Sequence, residues 1–167
     1  MALEAKSRDP RFREIEESLS AVLRFPGDRL ATLTTSFGSS DAGFYEIVGT
    51  KGRLRVEPAF DYAEPLKHVL TIGGKTSTKT YKKRDQFAAE LLYFSECVLD
   101  NKPIEPSGDE GVIDMRIIET LHRSAALKRA LRVSLPTRAL RPRKSQEYTV
   151  RPVTPPRLVR AEAPSID

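Results

Sequence analysis

Residues 44–57 constrain this chain more than any other stretch. Tyr45, Ile47, Leu54 and Val56 alternate with Glu46, Val48, Arg53 and Arg55, the period-two pattern of extended chain whose two sides face different surroundings. Gly49-Thr50-Lys51-Gly52 lies between the two halves. Glycine at both ends of the reversal supplies positions where a positive φ carries no steric cost, so the stretch predicts an antiparallel hairpin with a fixed register. A lone hairpin is marginal in water. It requires further strands beside it and an apolar layer over one face.

The rest of the chain supplies both. Leu3 and Ala5 mark a short strand at the very start, Glu17 to Phe25 and Leu30 to Phe37 alternate again, and Pro26-Gly27-Asp28 turns one into the other. Gly38 to Gly43 is a Gly/Ser/Asp loop, and Pro58 to Pro65 is an irregular excursion. Leu66 to Ile72 and Lys75 to Tyr81 form a second hairpin around Gly73-Gly74. At Asp85, a candidate N-cap, the period changes: Phe87, Leu91, Phe94 and Val98 recur at helical spacing up to about Asn101 and Pro103. Ser107 and Glu110 read as a capping box opening a second helix, with Val112, Met115, Ile118, Leu121 and Ala125 as its buried stripe, running to about Ala130. A short strand at Leu131 to Leu135 follows. The expected class is α+β in two layers: a largely antiparallel open sheet of about six strands, two helices on one face, and the other face bare.

With 167 residues, one domain with a core is expected, spanning 1–135. Residues 136–167 hold six prolines and scattered arginines, which predicts an extended arm. All but one unit of the net charge of +5 sits in that arm, where seven Lys/Arg face three Asp/Glu and leave 21 against 20 for the body. A nucleic-acid partner is therefore not expected: the arm lacks interleaved aromatics apart from Tyr148. No apolar run of membrane-spanning length occurs, so no membrane partner is expected, and a single cysteine fits a reducing, cytoplasmic setting.

No residue in this chain forms an evident metal or nucleophile motif. His68 and His122 have no second ligand at local spacing, and Cys97 lies beside Phe94 and Val98, so all three read as structural. Lys51 reads as a solvated turn residue. Asp114, Arg116 and Glu119 read as helix-surface charges capable of ion pairs.

Three segments taken in order carry a resemblance: Gly49 to Val56, then Phe87-Ala88-Ala89-Glu90-Leu91-Leu92-Tyr93-Phe94, then Gly111-Val112-Ile113-Asp114 with Arg116 to Glu119 and Ser124-Ala125. They resemble the C-terminal domain of the Gfo/Idh/MocA oxidoreductases over roughly Leu3 to Val133. Thr35-Ser36-Phe37-Gly38 and Asp61-Tyr62 are most similar to the glucose-fructose oxidoreductase-like branch.

The resemblance implies a two-domain enzyme in which an N-terminal Rossmann half binds NAD(P) and the C-terminal half closes the substrate pocket and builds a homo-oligomer through its open sheet face. This chain has no Gly-x-Gly-x-x-Gly and no Glu-Lys-Pro segment, so no catalytic or cofactor-binding residue is assigned and no cofactor is expected on this chain alone. A truncated product or a domain-only gene, lacking its Rossmann domain and inactive by itself on a sugar, is the expectation. Ser39, Ser40 and Asp41 with Tyr45 and Tyr62 are the candidates for substrate-side contacts, because polar groups on a loop at a sheet edge can hydrogen-bond sugar hydroxyls. A sheet-mediated interaction module without catalysis is the alternative.

Overall fold

The computed structural model describes residues 1–60, 64–136 and 143–147. Seven strands and two helices follow in order: β1 (Ala2–Ala5), β2 (Ser18–Phe25), β3 (Arg29–Ser36), β4 (Tyr45–Gly49), β5 (Gly52–Val56), β6 (Leu66–Ile72), β7 (Lys75–Tyr81), α1 (Gln86–Leu99) and α2 (Gly108–Leu127). The α+β class and the antiparallel pairing stand as expected. The strands, however, fall into two ladders, β1-β2-β3 and β4-β5-β6-β7, instead of one sheet of about six. Alternation reveals a strand and a tight turn reveals its neighbour, but nothing in a period-two pattern says which strands share a sheet across a long loop such as 37–44.

Two compact units contain these elements, one of Met1–Asp41 and Pro103–Arg143, the other of Ala42–Lys102 and Lys144–Asp167. In the first, Ala2 pairs with Ala21 and Ala21 with Leu33, while Glu4 pairs with Leu19 and Leu19 with Thr35. Paired residues share a face, so Ala2, Leu19, Ala21 and Leu33 form one apolar side. Leu121 and Ala125 of α2 pack onto it. The opposite side carries a hydroxyl ladder, Ser18 to Ser36 at 2.8 Å and Ser20 to Thr34 at 2.9 Å. Ser124, buried on α2, ties the layers together: its Oγ accepts from the Ala2 N–H at 3.1 Å and donates to the Arg129 carbonyl at 2.7 Å.

In the second unit the central hairpin has the expected register, Gly49 opposite Gly52, with Thr50 and Lys51 as its loop. The reason for its glycines differs from expectation, since neither adopts a positive φ. Gly52 is required by proximity: a Cβ there would collide with the Thr71 carbonyl oxygen of β6. Positive φ is used instead at Gly73 and Gly74, at 54° and 77°, which reverses β6 into β7 with Ile72 opposite Lys75.

Asp85 caps α1 as expected, accepting from the Ala88 N–H at 2.9 Å. Ser107 stands at the N-cap of α2, but its side chain makes no capping bond; Asp109 and Glu110 in the first turn place negative charge at the positive end of the helix dipole instead. The helix ends at Leu127, three residues before the expected end, with its C-cap Lys128 in the left-handed region at φ 50°. Residues 131–136 carry no strand. The stripe of α2 is buried only toward its C-terminal end, because Val112, Met115 and Ile118 are all exposed. The arm expected over 136–167 lies almost wholly outside the described residues.

Candidate functional site

The loop carrying Ser39, Ser40 and Asp41 leaves β3 at a crowded point. Phe37 N–H donates to the Glu17 carbonyl at 3.0 Å, and Gly38 N–H donates to Ser36 Oγ at 3.3 Å. Beyond it Ser39, Ser40 and Asp41 are exposed and their side chains make no hydrogen bond among the described residues. Those polar groups are available to a ligand from the first unit.

Tyr45 belongs to the second unit, at the head of β4. Its ring lies 5.8 Å from that of Phe60, which holds a positive φ of 65°. The chain closes here through the Ala59 N–H donating to the Gly43 carbonyl at 2.7 Å, an approach that a Cβ on Gly43 would obstruct. The Arg55 guanidinium stacks over Phe44 at 4.1 Å and binds Glu57 at 2.8 Å. Tyr45 therefore has an aromatic neighbour in Phe60, while the oriented Arg55 cation belongs with Phe44 on the side of the strand that Glu46 shares. Phe44, Phe60 and Arg55 were not among the site candidates read from the sequence; the aromatics that follow Gly43 and Ala59 were the available signal. Tyr62 lies outside the described residues.

His68 lies on the Leu70 and Ile72 side of β6, as expected, opposite Val56 and Lys79, with its ring 4.5 Å from Tyr81. Cys97 is buried in α1, in keeping with an apolar filler. Lys51 is exposed in its turn. Asp114, Arg116 and Glu119 are exposed and form no ion pair among the described residues, against the expectation that they could. His122 departs furthest from the reading: its Nδ1 lies 2.7 Å from Glu4 Oε1, and its Nε2 lies 3.9 Å from Glu16 Oε1. Those carboxylates are more than 100 residues away in the chain, so local spacing could not reveal them.

The groups moved from their ordinary acidity lie elsewhere, in exposed pairs two residues apart. Arg11 holds the Asp9 carboxyl below the usual range, Glu57 raises Arg55, and Asp100 raises Lys102. Such pairs accompany local turns and give no sign of an acid or base tuned for proton transfer.

The architecture is that of an antiparallel α+β domain whose candidate contacts sit on loops at strand ends, with no dinucleotide-binding unit among its described elements. The chain belongs to the Gfo/Idh/MocA oxidoreductases: the family described as "Oxidoreductase family, C-terminal alpha/beta domain" matches residues 1–135. Among curated relatives, a D-xylose 1-dehydrogenase [NADP(+)] of Haloarcula marismortui is 30% identical over 111 residues, 66% of this chain and 31% of that protein. A D-xylose 1-dehydrogenase (NADP(+)) 2 of Haloferax volcanii is 27% identical over 123 residues, 72% of this chain and 38% of that one. The crystal structure of aldose-aldose oxidoreductase from Caulobacter crescentus, complexed with glycerol, superposes with a TM-score of 0.69 at 31% identity, covering 77% of this chain and 38% of that chain. The chain thus spans about a third of the length of the relatives it matches. Among the described residues no helix is long and apolar enough to cross a membrane.

Proposed function

We propose that this chain is the substrate-side and oligomer-forming half of an NAD(P)-dependent sugar or polyol oxidoreductase, cytoplasmic, and inactive without a nucleotide-binding half. One observation carries the reading: one side of the β4–β7 sheet is apolar over β4, β5 and β6, and its own chain buries Val56 there but leaves the end around Ile47 and Ile72 exposed. The register puts Tyr45, Ile47, Leu54, Val56, Leu70 and Ile72 on one side, and of these Ile47 is 59% and Ile72 54% exposed. A contiguous apolar surface of this kind is the signature of a face met by protein. The xylose dehydrogenases among the relatives support a sugar as the substrate class and NADP(+) as the cofactor of the whole enzyme. Ser39 and Asp41, and separately Tyr45 and Tyr62, are the candidates for substrate-side contacts, and the nicotinamide and the proton donor for hydride transfer belong to the nucleotide half.

Two measurements on the purified chain test this. Light scattering is expected to give a dimer or larger species, and incubation with pentoses and NADP(+) is expected to give no NADPH. A clean monomer overturns the oligomer-forming role, while turnover by the chain alone overturns its dependence on a nucleotide half.

A further inference from the structure

The cluster of Glu4, Glu16 and His122 is not used by the proposed sugar chemistry and lies within the first unit. One carboxylate oxygen from each glutamate and one imidazole nitrogen lie within 4.8 Å of one another. We propose that these three side chains form a binding site for a divalent transition cation of the zinc class.

The donor set is of the right kind. Imidazole nitrogen with carboxylate oxygens suits zinc and its borderline neighbours, and two carboxylates balance the charge of a divalent ion. The distances fit as well. His122 Nε2 and Glu16 Oε1, at 3.9 Å, are too far apart to hydrogen-bond. A cation bonded to each at about 2.0–2.2 Å spans nearly that gap, and a small side-chain rotation brings the pair to the tetrahedral separation. On the other side of the ring, Glu4 at 2.7 Å from Nδ1 fixes the imidazole plane and tautomer from behind, leaving His122 Nε2 and Glu16 as the direct ligands and water to complete the sphere.

The backbone under these side chains is held independently of any ion. Glu4 is on the face of β1 that α2 covers, two residues from Ala2, whose N–H is bonded to Ser124 of the same helix as His122. Glu16 precedes the point where Glu17 N–H donates to the Ala5 carbonyl at 2.9 Å. Three elements therefore bring the donors together through packing and ladder bonds. His122 and both glutamates remain partly exposed, with side-chain accessibilities of 44%, 26% and 26%, so an ion and its waters can enter.

The test is titration of the full chain, free of any histidine tag, with Zn²⁺ by calorimetry and with Co²⁺ by visible absorption. Saturation is expected at one equivalent, with Mg²⁺ failing to compete. His122→Gln and Glu16→Gln are each expected to weaken Zn²⁺ on the order of 10–100-fold, while Cys97→Ser and His68→Gln leave it unchanged. Equal binding of Mg²⁺, or full affinity retained in Glu16→Gln, overturns the proposal. If His122→Gln does not fold, the ring nitrogen resonances of His122 in the native chain decide: they shift on Zn²⁺ saturation if the site is real, and their constancy at saturation overturns it.

Discussion

Single side chains in this molecule are decided by backbone geometry more than by chemistry. Lys128 ends α2 in the left-handed region, at φ 50° and ψ 37°, a conformation that glycine adopts without crowding its Cβ against the following carbonyl. Lys128→Gly is therefore expected to stabilise the chain by roughly 0.5–1 kcal/mol, read from the urea midpoint. Gly52 is the opposite case, since its Cβ would strike the Thr71 carbonyl. Gly52→Ala is expected to cost about 1–3 kcal/mol in the same measurement, by forcing β5 and β6 apart. Asp9 offers a charge test: its carboxylate accepts from Arg11 N–H at 2.9 Å and pairs with the guanidinium at 2.7 Å, which lowers its pKa. A depressed acid stabilises the fold above its unfolded pKa and loses that contribution as pH falls through the lower folded value. NMR titration should place the Asp9 midpoint below the ordinary Asp range, and Arg11→Ala should move it part of the way back, leaving the share held by the Arg11 backbone N–H.

At the level of elements, what was legible in the sequence followed from local periodicity and what was not followed from distant partners. The two turn-linked hairpins, the Asp85 cap and the period change into α1 were readable because each is fixed within a few residues. The division into two sheets, the shortened stripe of α2 and the pairing of His122 with Glu4 were not readable, because each depends on chain more than 30 residues away or on a surface left uncovered. Of the substrate-side candidates, the loop of Ser39 and Asp41 is exposed as expected, but the aromatic company of Tyr45 came from a positive φ at Phe60 that no periodicity announces. The seam between β1 and α2 shows the same dependence on distance. Ser124 satisfies the Ala2 N–H across 122 residues, and Ser124→Ala would leave that buried donor unmade, at about 1–3 kcal/mol. Hydrogen exchange should then show β1 amides losing protection before those of β2 and β3, which keep their own ladder.

For the molecule as a whole, the governing fact is how little apolar surface the chain buries for itself. The buried hydrophobic residues are few among those described, Ala2, Phe12, Leu19, Ala21, Val56, Ala59 and Cys97, and most are small. Meanwhile Ile47, Leu70 and Ile72 share one side of the β4–β7 sheet and stay between 39% and 59% exposed. Covering the exposed part of each would add roughly 1–2 kcal/mol, enough when several side chains act together to hold copies of the chain in contact. The opposite side of the same sheet pairs Glu46 with Arg55 and Thr71 with Thr76, a surface that gains little from leaving water. Assembly through the apolar side therefore predicts that Ile47→Lys with Ile72→Lys converts the oligomer to a monomer while far-ultraviolet circular dichroism stays unchanged, because both side chains already face out. Val48→Lys, on the polar side of the same strand and 75% exposed, serves as the control and should leave assembly intact. Sedimentation velocity on the three proteins distinguishes the cases. A doubly substituted chain that sediments like the native one assigns assembly to another surface, and a Val48→Lys monomer assigns it to the opposite side of the sheet.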